Sequence, residues 1–285
     1  MQTVSPGHTR LIYLDMMELT AEPEETASIL KDYVAAHNLA GTPAAVAFQD
    51  ESLHIRRMDL PKMPEEDLKE AVRWQLRDVA EGSMDDYVIQ YSILEEVPSV
   101  DMVKLNMLGF AIKKNLIHSQ VQILEKAGMK PFFMQPTPVS LATMVEKTYP
   151  SMDKEWVACI DIGFKRSNFL ALEGRKLHFV RPLAGVSLAQ AVELKTEYPT
   201  KLALEIQHAI DAFSITYHVE KVEKIFLAGG GAGIENLSVY LSQNLGIVTE
   251  ILNPFLGLEQ VSQFPLAAQK PYLFGPAIGL AYLRP

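Results

Sequence analysis

Three short apolar runs in the second half constrain the fold most: Val157-Ala158-Cys159-Ile160-Asp161-Ile162-Gly163, Asn168-Phe169-Leu170-Ala171-Leu172 and Leu177-His178-Phe179-Val180. Each is long enough for one strand. The connections, among them Glu173-Gly174-Arg175, are too short for anything but antiparallel neighbours. A three-stranded meander is therefore expected. Leu202, Ile206, Ile210, Phe213 and Tyr217 then recur at helical spacing along one face. A buried strand, Lys224-Ile225-Phe226-Leu227-Ala228, runs into Gly229-Gly230-Gly231-Ala232-Gly233. Leu237, Leu241 and Leu245 predict the next helix, stopped by Gly246. A further strand at 248–252 ends at Asn253-Pro254, and a last helix holds Ala277, Ile278, Leu280 and Leu283.

Meander, helix, strand, helix, strand, helix is the order of the ribonuclease H-like half-domain, which actin-like proteins use twice around a nucleotide. The expected fold class is thus α/β, with two actin-like lobes. The first half starts with a short strand at Leu11-Ile12-Tyr13-Leu14 and a helix from Pro23-Glu24-Glu25 to about His37. Strands follow at Ala45-Val46-Ala47-Phe48 and, with period-2 alternation, at Leu53-His54-Ile55-Arg56-Arg57-Met58. Lys62-Met63-Pro64-Glu65-Glu66 opens a helix whose Leu68, Val72, Leu76 and Val79 share a face. A hairpin at 87–94 and 104–111 and a helix from about Lys114 to Ala127, stopped by Gly128, complete a small α+β insert at about 50–130, one face of its sheet covered by two helices. Phe132-Phe133-Met134 and a helix near Pro138 to Lys147 return the chain to the main body. Pro150-Ser151-Met152-Asp153 marks the expected boundary between a first lobe, 1–150, and a second, 151–285.

Composition narrows the function classes. The 26 Lys+Arg against 35 Asp+Glu give a net charge of −9. That balance disfavours duplex nucleic acid or anionic lipid, both of which bind through clustered cations. A single cysteine, Cys159, removes any disulfide framework or multi-cysteine zinc site and fits a reducing compartment. No apolar run reaches the length of a spanning helix, and the first residues lack a secretion-signal pattern. The expectation is a cytoplasmic protein with no direct membrane insertion.

Two motifs carry possible chemistry. Asp161-Ile162-Gly163 sits at a strand end, where a carboxylate can hold a Mg²⁺ water and a glycine lets backbone N–H groups approach a phosphate. The glycine run at 229–233 follows a buried strand and precedes a helix, a place where phosphate or sugar can meet bare backbone. It is neither a Walker loop nor a Rossmann fingerprint. Both motifs also have plain readings, as a strand exit and as a tight connection. Glu205 and His208 are three apart on one helix, but no second such pair completes a metal site, and a solvated helix face is expected. No GxSxG elbow is present, Cys159 lies mid-strand, and Asp161 stands alone where a nuclease needs several carboxylates.

Three stretches together resemble the PilM family of type IV pilus assembly proteins. They are 55–64 with Ala71-Val72-Arg73-Trp74-Gln75, then 158–163 with 179–185, and 225–233 with Gly246 and Asn253-Pro254-Phe255. The insert resembles the extra subdomain that separates PilM and the actin-like cell-division protein FtsA from actin and sugar kinases. The resemblance implies a cytoplasmic scaffold, peripheral to the inner membrane, that captures the cytoplasmic tail of a PilN-like membrane protein between the first lobe and the insert. Other pilus assembly platform components are implied as further partners. Candidate partner-binding residues are Phe48, Ile55 and Trp74. ATP and Mg²⁺ are implied as well, with Asp161 and Gly163 facing phosphates and Gly229, Gly230 and Gly231 bordering adenosine. Two departures from the family weaken that site. Residues 1–19 contain no Asp-x-Gly for a first phosphate loop, and the connection from Gly185 to Glu205 is too short for the subdomain that completes the ribose and base pocket. At 285 residues the chain looks short beside the family, and the first lobe is expected to be truncated, without its opening strands. A non-enzymatic scaffold with a reduced or lost ATP site is the expectation. The rival is an active actin-fold nucleotide enzyme, a slow ATPase or small-molecule kinase. A third reading, the cytoplasmic domain of a type II secretion platform protein, would require a membrane span.

Overall fold

The computed structural model describes residues 2–5, 8–20, 22–79, 81–99, 102–149, 155–174, 176–260 and 264–283. The boundary expected at Pro150-Ser151-Met152-Asp153, Arg175 of the expected turn, and Met1, Pro6 and Gly7 of the opening stretch lie outside them. The chain divides into two compact units. One is Met1–Asp15 with Thr137–Arg284; the other is essentially Met16–Pro136. The division thus falls one helix before residue 150.

The chain opens on strands β1 (Gln2–Ser5) and β2 (His8–Leu11), an antiparallel pair. The strand expected at 11–14 therefore lies three residues earlier, and residues 12–14 belong to no regular element. Helix α1 (Pro23–Ala36) follows, with proline in its first turn and Glu24 and Glu25 against the positive end of its dipole. Strand β3 (Pro43–Phe48) leads to the insert: β4 (His54–Pro61), α2 (Glu65–Gln75), β5 (Tyr87–Pro98), β6 (Val103–Lys113) and α3 (Lys114–Lys126). Gly128, at φ +81, ends α3 as its sequence predicts. Strand β7 (Lys130–Pro136) closes this unit by pairing in parallel with β3.

The insert's sheet has the order β4-β6-β5, antiparallel throughout. Its core joins Leu68, Val72 and Leu76 of the α2 region to Met58, Leu60, Leu105 and Met107. Only α2 covers this sheet as expected. Helix α3 packs mainly on α1 and β7, tied there by the Lys126–Glu24 ion pair and by the Gly41 N–H donating to the Gly128 carbonyl at 2.7 Å.

The other unit continues with α4 (Thr137–Thr148) and the meander β8 (Trp156–Ile162), β9 (Ser167–Glu173) and β10 (Lys176–Leu183). Then come α5 (Leu188–Leu194), α6 (Tyr198–Tyr217), β11 (Lys224–Ala228), α7 (Leu237–Leu245), β12 (Val248–Ile251), β13 (Glu259–Gln260), α8 (Pro265–Gln269) and α9 (Gly275–Ala281). The five-stranded sheet has the order β10-β9-β8-β11-β12, with β8, β11 and β12 parallel. This is the ribonuclease H-like order that the sequence predicts. Leu202, Ile206, Ile210 and Phe213 of α6 are buried in one core with Ile160, Ile162, Phe169 and Leu227. Each such side chain contributes roughly 1.5–3 kcal/mol. On α9, Gly279 has no room for a side chain, because a Cβ would overlap the Ser140 carbonyl of α4. Strand β13 pairs with β2, adding the N-terminal hairpin to this unit.

Candidate functional site

Two places collect the residues singled out by the sequence. The first is the C-terminal end of β8 and β11, where parallel α/β sheets place ligands. Asp161 stands in register with Ala228 of β11 and Asn168 of β9. It is only 5% exposed, and among the described residues no hydrogen bond or ion pair reaches its carboxylate. Burial therefore pushes its pKa up from 3.8 to about 6. Next to it Gly163 turns the chain, donating its N–H to the Arg166 carbonyl at 2.9 Å. The carbonyls of Gly163 and Phe164 accept the Leu188 and Ala189 N–H groups at 2.9 and 3.0 Å, so the turn is anchored on the first turn of α5. Ser187 and Gln190 close that helix end as a capping box.

The glycine run does meet Asp161, as the sequence suggests. A Cβ on Gly229, whose φ is +76, would lie 2.6 Å from Asp161 Oδ1 and from the Ile162 carbonyl. One on Gly231 would overlap the Ile162 side chain, and one on Gly233 the Tyr272 hydroxyl. Gly230 lies against Leu188. The Gly229 N–H donates to the Tyr272 carbonyl at 3.1 Å. The glycines thus admit the chain's own atoms at close range. As expected, the run precedes a helix, but it does not itself open one. Gly230–Gly233 forms a 3-10 turn, and α7 begins only at Leu237, after Asn236 in the left-handed region. Tyr272 was not legible as part of this place, since it comes from a Pro-flanked turn with no periodic signal. From Gly185 to Glu205 the chain runs through the seven-residue α5 into α6, leaving no subdomain there. Glu205 Oε2 accepts the Ala184 N–H at 3.3 Å, fastening β10 to α6, and His208 Nδ1 lies 3.9 Å from its other oxygen.

The second place is a cleft of about 610 Å³ in the other unit, where the β3–β4 turn meets the start of β5 and the β6–α3 junction. It is lined by Asp50, Glu51, Ser52, His54, Glu81, Tyr87, Lys113, Asn115, Leu116 and Ser119. Asp50 Oδ1 accepts both the Ser52 N–H (2.8 Å) and its hydroxyl (2.6 Å), which fixes the turn. The Ser52 Oγ in turn accepts the Lys113 N–H at 3.4 Å, and Lys113 Nζ lies 3.8 Å from Glu81. Three carboxylates against one lysine leave the rim acidic.

Phe48 and Ile55 flank the turn that builds this cleft. Phe48 is 8% exposed at the end of β3, and Ile55 is half-buried on β4 opposite Phe110. Trp74 sits apart on α2, 58% exposed, with the Arg77 guanidinium carbon 4.0 Å from its ring centre. Of the three residues, Trp74 alone offers a large surface to a partner. The cleft's polar residues were not grouped by sequence reading because they come from four elements, with no motif linking them.

Residues 188–284 match the family model of the type IV pilus assembly protein PilM. No curated protein matches by sequence. Among solved structures, the PilM–PilN type IV pilus biogenesis complex superposes with a TM-score of 0.79 at 22% identity, covering 94% of this chain and 87% of that one. The cytoplasmic domain of EpsL, an inner-membrane component of the type II secretion system of Vibrio cholerae, matches at TM-score 0.45 and 10% identity over 93% of this chain and 81% of that one. MreB5 of Spiroplasma citri bound to ADP matches at 0.47 and 10%, over 93% and 75%. The last third of the chain thus matches the PilM family model, and the chain has an actin-like fold, similar to that of the PilM–PilN complex over 94% of its length.

Proposed function

We propose that this chain is a scaffold of an inner-membrane platform that assembles type IV pili or a related secretion apparatus. It acts on the cytoplasmic side, held at the membrane by the cytoplasmic tail of a PilN-like protein. The likeness to the PilM of a PilM–PilN complex over 94% of the chain carries this reading. No helix among the described residues is long and apolar enough to cross a membrane, which agrees with recruitment through a partner. The tail's place is the unit that holds the insert, with the cleft at its centre and Trp74 on its flank.

The nucleotide site is reduced in this proposal. The N–H groups of Gly163 and Gly229 are engaged by the chain's own carbonyls, and Ile162 and Tyr272 fill the space against Gly231 and Gly233. Asp161 lacks a neighbouring cation and is held toward its neutral form. Phosphates bind at such strand ends through free backbone donors, and these features disfavour that.

The test is a calorimetric titration of the purified chain with a synthetic peptide of the tail from the PilN-like protein of the same genome, and separately with Mg-ATP. Saturable binding of the peptide and no heat with Mg-ATP are expected. A chain that ignores the tail sinks the scaffold reading. Micromolar Mg-ATP binding lost in Asp161→Ala favours a working nucleotide enzyme.

A further inference from the structure

Helix α6 buries one face and leaves a regular stripe on the other. Leu202, Ile206, Ile210 and Phe213 enter the core. On the opposite side Lys201, Leu204, His208, Asp211 and Ile215 are all exposed, at spacings of three, four, three and four. Such alternation keeps side chains in a nearly straight line along a helix, the line on which two helices pack side by side. Two of these residues are large aliphatics, Leu204 at 54% and Ile215 at 76% exposed. Facing water, neither contributes a packed contact to the single chain. Asp211 accepts the Gln207 side-chain amide at 2.8 Å, which holds the carboxylate on this face, and His208 is 52% exposed. Lys201 Nζ lies against Gly185, off the stripe.

The chemistry of the stripe mirrors itself. Counting outward from the Ala209–Ile210 peptide, His208 answers Asp211 and Leu204 answers Ile215. A base thus mirrors an acid, and an aliphatic side chain mirrors an aliphatic one. A helix with this order is complementary to an antiparallel copy of itself. Leu204 then meets Ile215 of the partner subunit, and His208 donates an imidazole N–H to Asp211 of the partner subunit. A parallel copy in register would instead set carboxylate against carboxylate and imidazole against imidazole. Charge therefore selects the antiparallel arrangement.

We infer that α6 pairs with α6 of a second copy of this chain, antiparallel, about a two-fold axis level with the Ala209–Ile210 peptide. The interface is isologous, each copy presenting the same patch to the other. One helix pair falls short of the roughly 1,200–2,000 Å² that a stable interface buries, so the association is reversible, with a Kd above about 10 µM. Helix α6 belongs to the unit without the cleft. The inference therefore goes beyond the scaffold reading and does not depend on it.

Sedimentation velocity of the full chain from about 5 to 500 µM tests this, with monomer–dimer exchange as the expected result. His208→Asp gathers carboxylates from both copies around the axis and is expected to weaken the dimer at least about tenfold. Adding Asp211→His restores the matching with acid and base exchanged, and should return the dimer to within about threefold of the original. Leu204→Cys and Ile215→Cys together are expected to give a covalent dimer on oxidation, and neither alone. The two positions are roughly 16 Å apart along one helix, beyond the reach of a disulfide within one chain. All four positions are exposed, so the variants retain the fold. A monomer at every concentration overturns the inference. So does a dimer that ignores His208→Asp, a swap that fails to rescue, or a covalent dimer formed as readily by either single cysteine variant.

Discussion

Strands β3 and β11 answer the same structural question differently. Both are short, apolar and parallel to a later strand, β7 for β3 and β12 for β11. In β11, Ile225, Phe226, Leu227 and Ala228 are all fully buried, because β8 and β12 flank it and helices close the faces. In β3, a run at least as apolar is left half-covered. Composition alone therefore does not bury a strand; it needs neighbours on both edges. The half with a complete sheet has its strand-end glycines engaged with its own side chains. The half with an incomplete sheet carries the cleft. A closed core and an open cleft are divided between the units accordingly.

The sharpest way to break this contrast is to truncate equivalent positions. Leu227→Ala, in the closed core, is expected to cost about 2–5 kcal/mol. Val46→Ala, on half-covered β3, should cost under about 1 kcal/mol. Urea unfolding midpoints of the two variants measure both. Equal costs would mean that β3 is as enclosed in solution as β11.

A smaller effect of opposite sign is expected at Asp161. Its folded pKa is raised from 3.8 to about 6, so the folded chain holds this proton more tightly than the unfolded chain. The favourable protonated state is fully present below about pH 4, and stability falls as pH rises through about 6, remaining lower above it. Asp161→Asn is expected to remove that fall, stabilising the chain at pH 7.5 by up to about 3 kcal/mol, since each pKa unit corresponds to about 1.4 kcal/mol. Thermal melts of both proteins from about pH 4 to 8 would show it. Destabilisation by Asp161→Asn would mean that the carboxylate is charged and useful, so that the closed half keeps a working ligand site.

The closed half was also the legible half. Its meander announced itself through three apolar runs with turns too short for crossovers, and α6 through Leu202, Ile206, Ile210 and Phe213. These are local signals, and the sheet order follows from them by the ordinary rules of parallel and antiparallel connection. In both units, long-range pairing was less legible. Nothing in the sequence shows that His8–Leu11 would find Glu259–Gln260, or that α3 would leave the insert's sheet for α1 and β7. Of the strand-end site, the meeting of Asp161 with Gly229 was readable from fold order. The filling of that space by Ile162 and Tyr272 was not, because it depends on side chains that no spacing rule connects.

That filling predicts a third, more modest effect. Gly231→Ala puts a methyl group into the Ile162 side chain, in a core with no slack, and is expected to cost about 1–3 kcal/mol by overpacking. The matching change in the other unit, Ala45→Val on the exposed face of β3, should be within about 0.5 kcal/mol of neutral. Denaturation of the two variants compares them. A neutral Gly231→Ala would mean that the glycine run is loosely packed and free to admit a ligand.

The smallest expected change in stability is at Trp74, and it is also the most informative about binding. The chain has two tryptophans. Trp156 lies in the closed half, its ring 4.9 Å from His178 and 5.0 Å from Phe213, while Trp74 stands 58% exposed on α2. Trp74→Ala should alter stability by no more than about 0.5 kcal/mol, as exposed substitutions do. In a Trp156→Phe background, Trp74 becomes the only indole, and its emission should be that of a water-exposed ring. If the tail reaches α2, adding the peptide excludes water from that ring and moves emission to shorter wavelength. If the tail is confined to the acidic cleft, emission stays where it is while binding continues. The second outcome would remove Trp74 from the binding surface and leave its exposure to be explained by its contact with Arg77 alone.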